Sequence, residues 1–150
     1  MKAIQLHQHG DADVLRYERV ARPVPGPGRV LVKVEAVGVN FIDVYLRTGL
    51  YPATLPFVLG QEGSGVVAAI SSDVSGVRFG QRVAWTGVPG AYAEYATVPA
   101  ELLVALPDEI TARQGAAAML QGMTAHYLAT ATFPLREGDT CLVHAAAGGV

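Results

Sequence analysis

The 150-residue chain has one cysteine, Cys141, so it can form no disulfide within itself and no thiolate zinc cluster. Charge of either sign is sparse, at 16%, with 11 Lys and Arg against 13 Asp and Glu. A near balance with no basic cluster argues against a nucleic-acid or anionic-membrane surface, and so against both as partners. No apolar run approaches the roughly 18 residues of a membrane span. The opening MKAIQLHQHG lacks the apolar core of a secretion signal, and a cytoplasmic location is expected. There is a single asparagine, Asn40.

Apolar residues are plentiful. At 51% of the chain they can fill a sizeable core and exclude a disordered polymer. The length suits one domain. The chain stops at HAAAGGV (144–150), inside what reads as a glycine turn, and a fragment of a longer protein is expected.

Short strands broken by turns fill the first hundred residues. Strands are predicted at 2–6, 14–19, 30–39, 65–70, 81–85, 92–98 and 102–106. VLVKVEAVGV (30–39) alternates Lys33 and Glu35 with valines, so one face is expected to be wet. RPVPGPGR (22–29) is a loop, and 50–60, with two prolines, an irregular excursion. A helix is predicted from Asn40, which can cap, to Arg47, with Asp43 in its first turn and Gly49 ending it. This pattern predicts a β-rich, barrel-like domain.

The pattern changes at Pro107. Thr111 is a predicted N-cap for a helix reaching about Phe133, which Gly122 could split. Ala117, Leu120, Thr124, Tyr127 and Ala131 share one face of it by spacing. TCLVH (140–144) reads as an apolar strand feeding a small-residue turn, the way a dinucleotide-binding βαβ unit opens.

Three places carry potential chemistry. The turn at Gly148 and Gly149 can be an ordinary tight turn or can admit a pyrophosphate. Asn40 is a helix cap by one reading. By another it is an amide held in a cleft, able to donate and accept at once. Tyr45 and Tyr51 can be core aromatics or can line an apolar pocket with polar tips. The third place, GQEGSGVV (60–67), reads as close backbone approach or a bulge. None of His7, His9, His126 and His144 pairs with a second ligand at metal spacing, and Cys141 reads as a buried small hydrophobe.

In order, the segments VLVKVEAVGVNFIDVYLRTGLYP, LPFVLGQEGSGVV, FGQRVAW, GAYAEYATVP, AAAMLQGMTAHYL and HAAAGGV resemble the quinone oxidoreductases. These are the zeta-crystallin-like branch of the medium-chain dehydrogenase/reductase superfamily. The resemblance runs the length of the chain. It implies a GroES-like catalytic domain over residues 1–122, with 123–150 a linking helix and the first strand and glycine turn of a Rossmann domain, the rest of which is absent.

It also implies an NADPH-dependent quinone reductase, homodimeric when intact, with 1–150 inactive alone. An activated-alkene (enoyl) reductase is the alternative enzyme, and a crystallin-like or RNA-binding relative the non-catalytic one. Asn40 stands where zinc-dependent relatives carry a ligand cysteine, and Gln61 where they carry a histidine, so no zinc is expected. An acceptor that delocalises the incoming charge itself, as a quinone does, then suits the site best. By the same resemblance Asn40 and Tyr45 face the nicotinamide end of the cofactor. Thr124 and Tyr127 contact the cofactor, and Gly148 and Gly149 form the pyrophosphate loop. Tyr51 lies near the substrate, and Tyr45 or Tyr51 helps protonate the reduced quinone.

Overall fold

The computed structural model describes residues 1–149; Val150 lies outside the described residues. Eight strands form, β1 (Lys2–Leu6), β2 (Arg16–Arg19), β3 (Arg29–Val37), β4 (Phe57–Val58), β5 (Glu62–Ile70), β6 (Arg82–Thr86), β7 (Tyr95–Pro99) and β8 (Val104–Ala105), with helices α1 (Phe41–Thr48) and α2 (Ala112–Tyr127). A five-stranded sheet runs β7-β3-β5-β6-β8, and a three-stranded sheet runs β2-β1-β4. Neighbouring strands are antiparallel throughout. An Ala3–Ala93 bridge and the Ile4 N–H bond to Tyr92 O tie the sheets together.

The main core is the inner face of the large sheet. Val30, Val32, Val67, Val83, Trp85 and Val98 are sealed there. Each such valine contributes about 1.5–3 kcal/mol relative to exposure. Lys33 and Glu35 point to the wet face of β3, as their alternation predicts. A second core, Leu6, Val14, Leu46 and Leu59, seats α1.

Glycine sets how closely β3 and β5 meet. A Cβ on Gly65 would strike Lys33 O, and one on Gly63 would come within 2.8 Å of the Trp85 ring. The GQEGSG segment is therefore a close-approach segment, and β5 begins at Glu62 rather than at Gly65.

Two helix ends follow the sequence closely. Gly49 takes a φ of 84° and closes α1, a conformation that costs glycine nothing. Thr111 caps α2, its Oγ1 accepting from Gln114 N at 3.3 Å while Gln114 Oε1 accepts from Thr111 N at 2.9 Å. Arg82 binds the carbonyls of Pro107, Asp108 and Ile110 and holds the loop from which α2 starts.

Several expectations are corrected. Gly122 does not split α2; the helix runs unbroken to Tyr127 and loosens into a π turn at Leu128–Thr132. A glycine in a helix costs only about 1 kcal/mol, and the helix packs on β5, β6 and β3. The residues α2 buries are Gly115 and Ala116. Residues 140–144 form no strand, because no described strand lies beside them to supply ladder partners. Cys141 is exposed, not buried. Among the described residues no helix is long and apolar enough to cross a membrane.

Candidate functional site

The site lies where α1, β5 and α2 meet. Asn40 is the N-cap residue of α1, with extended backbone at φ −129° and ψ 155°. Its backbone N–H donates to Asp43 Oδ2 at 3.0 Å. Asn40 and Asp43 face each other as a capping box, but the Asn40 amide forms no close cap hydrogen bond to the helix. Instead Nδ2 donates to Glu62 Oε1 at 2.9 Å, and Oδ1 accepts from Gln121 Nε2 at 2.5 Å. The cap and cleft readings of Asn40 thus divide between its backbone and its amide.

Chemistry fixes the amide orientations. Carboxylate oxygens only accept, so the nitrogen of Asn40 must face Glu62. Its oxygen then faces Gln121 and needs a donor there. Turning the Gln121 amide over would bring its nitrogen within 3.2 Å of Ala117 O and 3.3 Å of Glu62 Oε1, but would oppose oxygen to oxygen across 2.5 Å at Asn40, the closer and costlier contact.

Glu62 is fully buried at the start of β5. Its Oε2 accepts from Leu120 N on α2 at 2.7 Å. Two residues on, on the same face of β5, buried Ser64 donates to Ala112 O at 2.5 Å. One strand face therefore anchors α2 at two levels. Gly38 completes the chamber, since a Cβ there would land on the Glu62 carboxylate.

Tyr92 closes the far side. Its hydroxyl donates to buried Asp43 Oδ2 at 2.7 Å. Burial, then the bond to Asp43, then the charges of Asp43 and Glu62 hold its pKa well above the ordinary tyrosine value. Gly60 has a φ of 94°, and a Cβ there would collide with the Tyr92 ring.

An aromatic cluster sits on α1. Tyr45 and Tyr51 rings lie 5.3 Å apart, tilted by 57°, and Phe41 lies 6.4 Å from Tyr45. Tyr51 N–H donates to Tyr45 O at 3.1 Å. Tyr51 is half exposed and Tyr45 partly buried, so neither is a sealed core residue.

Of the residues singled out in sequence, the structure joins Asn40 to α2 and Tyr45 to Tyr51. Thr124 lies one turn beyond Leu120 and donates its hydroxyl to Leu120 O at 2.7 Å. Tyr127 is half exposed on the next turn. The glycine turn approaches Gln121, since a Cβ on Gly149 would come within 3.1 Å of Gln121 Cγ. Gly148 N–H donates to Ala145 O at 2.6 Å and tightens that turn. Glu62, Gln121, Asp43 and Tyr92 were not picked out as site residues. A carboxylate flanked by glycines at the head of a buried strand, GQEGSG, was the available sign for Glu62. No group of three or more His, Cys, Asp or Glu gathers among the described residues.

The alcohol dehydrogenase GroES-like domain matches residues 26–108. A quinone oxidoreductase of Pseudomonas aeruginosa is 50% identical, over 99% of this chain and 46% of that protein. A 2-haloacrylate reductase of a Burkholderia species is 38% identical, over 99% of this chain and 46% of that protein. Among solved structures, a mycobacterial protein complexed with NADPH superimposes with a TM-score of 0.96 at 46% identity, covering 99% of this chain and 46% of the other. The chain thus spans about half the length of the relatives it matches. The fold is the GroES-like, β-rich architecture leading into the opening of a Rossmann domain. With more than half of its residues inside the family match, and with quinone oxidoreductases among its relatives, the chain belongs to the alcohol dehydrogenase GroES-like domain family of the medium-chain dehydrogenase/reductases.

Proposed function

We propose that the protein to which this chain belongs is an NADPH-dependent quinone reductase that works without a metal. The observation that carries this reading is the amide and carboxylate cluster Asn40–Glu62–Gln121 at the junction of α1, β5 and α2. It offers polar groups of both kinds beside a glycine turn and provides no thiolate or imidazole. Both Glu62 oxygens are already bonded to N–H donors, which makes them poor ligands for a cation.

The residues fit a dinucleotide. The amide of Asn40 retains one N–H and one lone pair for a ligand. The Thr124 hydroxyl, whose proton goes to Leu120 O, retains its acceptor capacity. Gly148 and Gly149 lack the Cβ atoms that would crowd Ala145 O and Gln121. NADPH supplies the hydride when bound.

The chain's own groups bind and orient. Asn40 at the cap of α1, together with Tyr45 within α1, holds the nicotinamide end. Thr124 and Tyr127 line α2, and the glycine turn takes the pyrophosphate. Tyr51 borders the quinone, and Tyr45 or Tyr51 delivers a proton from a phenol hydroxyl. Positioning supplies most of the acceleration, because the acceptor stabilises its own charge.

Residues 1–122 form the catalytic domain in this reading, and 123–150 open the cofactor domain. The exposed apolar side chains Phe133, Leu142 and Val143 support assigning the latter segment to a second unit. A homodimer and a cytoplasmic location belong to the same proposal. A second enzyme reading, reduction of an activated alkene, draws support from the likeness to the 2-haloacrylate reductase.

Parallel assays of the full-length protein, with NADPH or NADH against a quinone and against an enoyl thioester or 2-haloacrylate, test the proposal. Preferential NADPH oxidation by the quinone is expected. Turnover confined to the alkenes moves the assignment to the second reading, and oxidation of neither class overturns both.

A further inference from the structure

Glu62 is an expensive residue to keep where it is. It is a wholly buried carboxylate, and no ion pair reaches it among the described residues. A charge removed from water is costly unless strong donors replace the water. Here the replacements are two N–H groups, Asn40 Nδ2 at 2.9 Å and Leu120 N at 2.7 Å. They come from positions 22 and 58 residues away, so the chain has been folded around this carboxylate. Gly38 leaves it the room.

What a carboxylate does here that a neutral side chain of equal size cannot is break a degeneracy. An amide such as Asn40 can present either end to a neighbour, and the two orientations have nearly the same shape. Facing an acceptor-only group, one orientation alone is satisfied. We propose that Glu62 is a positioning residue, which fixes the orientation of the Asn40 amide and thereby the donor and acceptor that Asn40 shows to the nicotinamide end of the cofactor. This rests on the functional reading above.

The consequence can be followed atom by atom in Glu62→Gln. Leu120 N–H can only donate, so it keeps the one oxygen of the new side chain. The new NH2 group then faces Asn40 and requires oxygen there. Asn40 turns over, and its nitrogen now faces Gln121, which turns over in its turn. In that orientation Gln121 nitrogen finds Ala117 O at 3.2 Å and lies 3.3 Å from the former Glu62 Oε1 position. The Leu120, Asn40 and Ala117 groups are again partnered, the like-with-like contact between Gln121 and residue 62 at 3.3 Å is kept with donors in place of acceptors, the volume is unchanged, and the pattern offered to the ligand is reversed. The substitution should thus leave the fold intact and damage the ligand-facing chemistry, a combination that a purely structural Glu62 would not give.

The experiment uses the full-length protein. Thermal unfolding, NADPH affinity by fluorescence titration without substrate, and single-turnover hydride transfer are measured for wild type, E62Q, N40A and the double variant. Expected for E62Q are near-wild-type unfolding and a loss of about tenfold in affinity or transfer rate, the scale of one charge-assisted hydrogen bond. The double variant should be no worse than N40A, because Glu62 acts through Asn40. Wild-type affinity and rate in E62Q, or losses that add in full, overturn the proposal.

A second measurement does not depend on E62Q folding. In cofactor-free protein labelled with 15N-asparagine, the Asn40 amide pair is identified by its loss in N40A. One of its protons, bonded to Glu62, should be shifted downfield and slow to exchange. Two equivalent, fast-exchanging protons overturn the proposal. If wild type reduces no quinone or alkene, the functional reading falls, while the NMR result still decides whether Glu62 orients Asn40.

Discussion

Tyr92 and Asp43 are joined across 49 residues of sequence by a 2.7 Å hydrogen bond from the phenol to Oδ2. The same oxygen accepts from Asn40 N, so the bond buttresses the N-terminus of α1 from behind. Burial, Asp43 and Glu62 all favour the neutral phenol, and its folded pKa is raised. A raised folded pKa contributes stability that is fully present below the unfolded value, about 10 for tyrosine, and is lost as pH climbs towards the folded one. We expect wild-type stability to fall above about pH 10 more steeply than that of Tyr92→Phe, read from urea midpoints. At neutral pH, Y92F should be the less stable by about 1–3 kcal/mol, since it takes a donor from buried Asp43. Parallel pH profiles would show that Tyr92 does not titrate differently on folding.

Gly38→Ala should destabilise by about 1–3 kcal/mol, because its methyl group enters the space of the Glu62 carboxylate. Gly26→Ala is the matched control, with nothing within 4 Å of its added carbon. Chemical denaturation of both variants checks this. Equal stability would mean the chamber yields more readily than the backbone positions imply.

The cap of α2 gives a local test. Thr111→Ala removes the oxygen that accepts from Gln114 N and should cost about 1 kcal/mol. Hydrogen exchange of the first-turn amides of α2 should accelerate with it.

In the full-length protein, Asn40→Ala and Tyr45→Ala should weaken NADPH affinity or turnover by about tenfold, as loss of one ligand hydrogen bond or aromatic contact would. Steady-state kinetics beside thermal unfolding separate this from instability. Unchanged kinetics with unchanged stability remove these residues from the site.

Treatment of the full-length protein with a strong chelator should leave quinone turnover unchanged. Activity lost to the chelator and restored by zinc would contradict the metal-free assignment.

Local chemistry was legible in the sequence wherever the signal is itself local. Asn40 with Asp43, Gly49, and Thr111 mark helix ends that the structure keeps. The β3 alternation was legible for the same reason. Residues 140–144 show the limit of such reading, since an apolar run specifies a strand only when a partner edge lies beside it. Gly122 shows another: tertiary packing of α2 outweighs one residue's propensity. Glu62 was hidden because its bonds span 22 and 58 residues, and no window of sequence shows that Asn40 and Leu120 converge on it. Its flanking glycines betrayed only the tight backbone approach.

Trp85 is the sole indole among these 150 residues, wholly sealed, and it packs beneath Gly63, the residue next to Glu62. The fold has thus placed an intrinsic fluorophore one position from its buried carboxylate. Its emission should lie at short wavelength and shift red when the β5–β6 pairing loosens, an optical gauge of this corner without any attached dye.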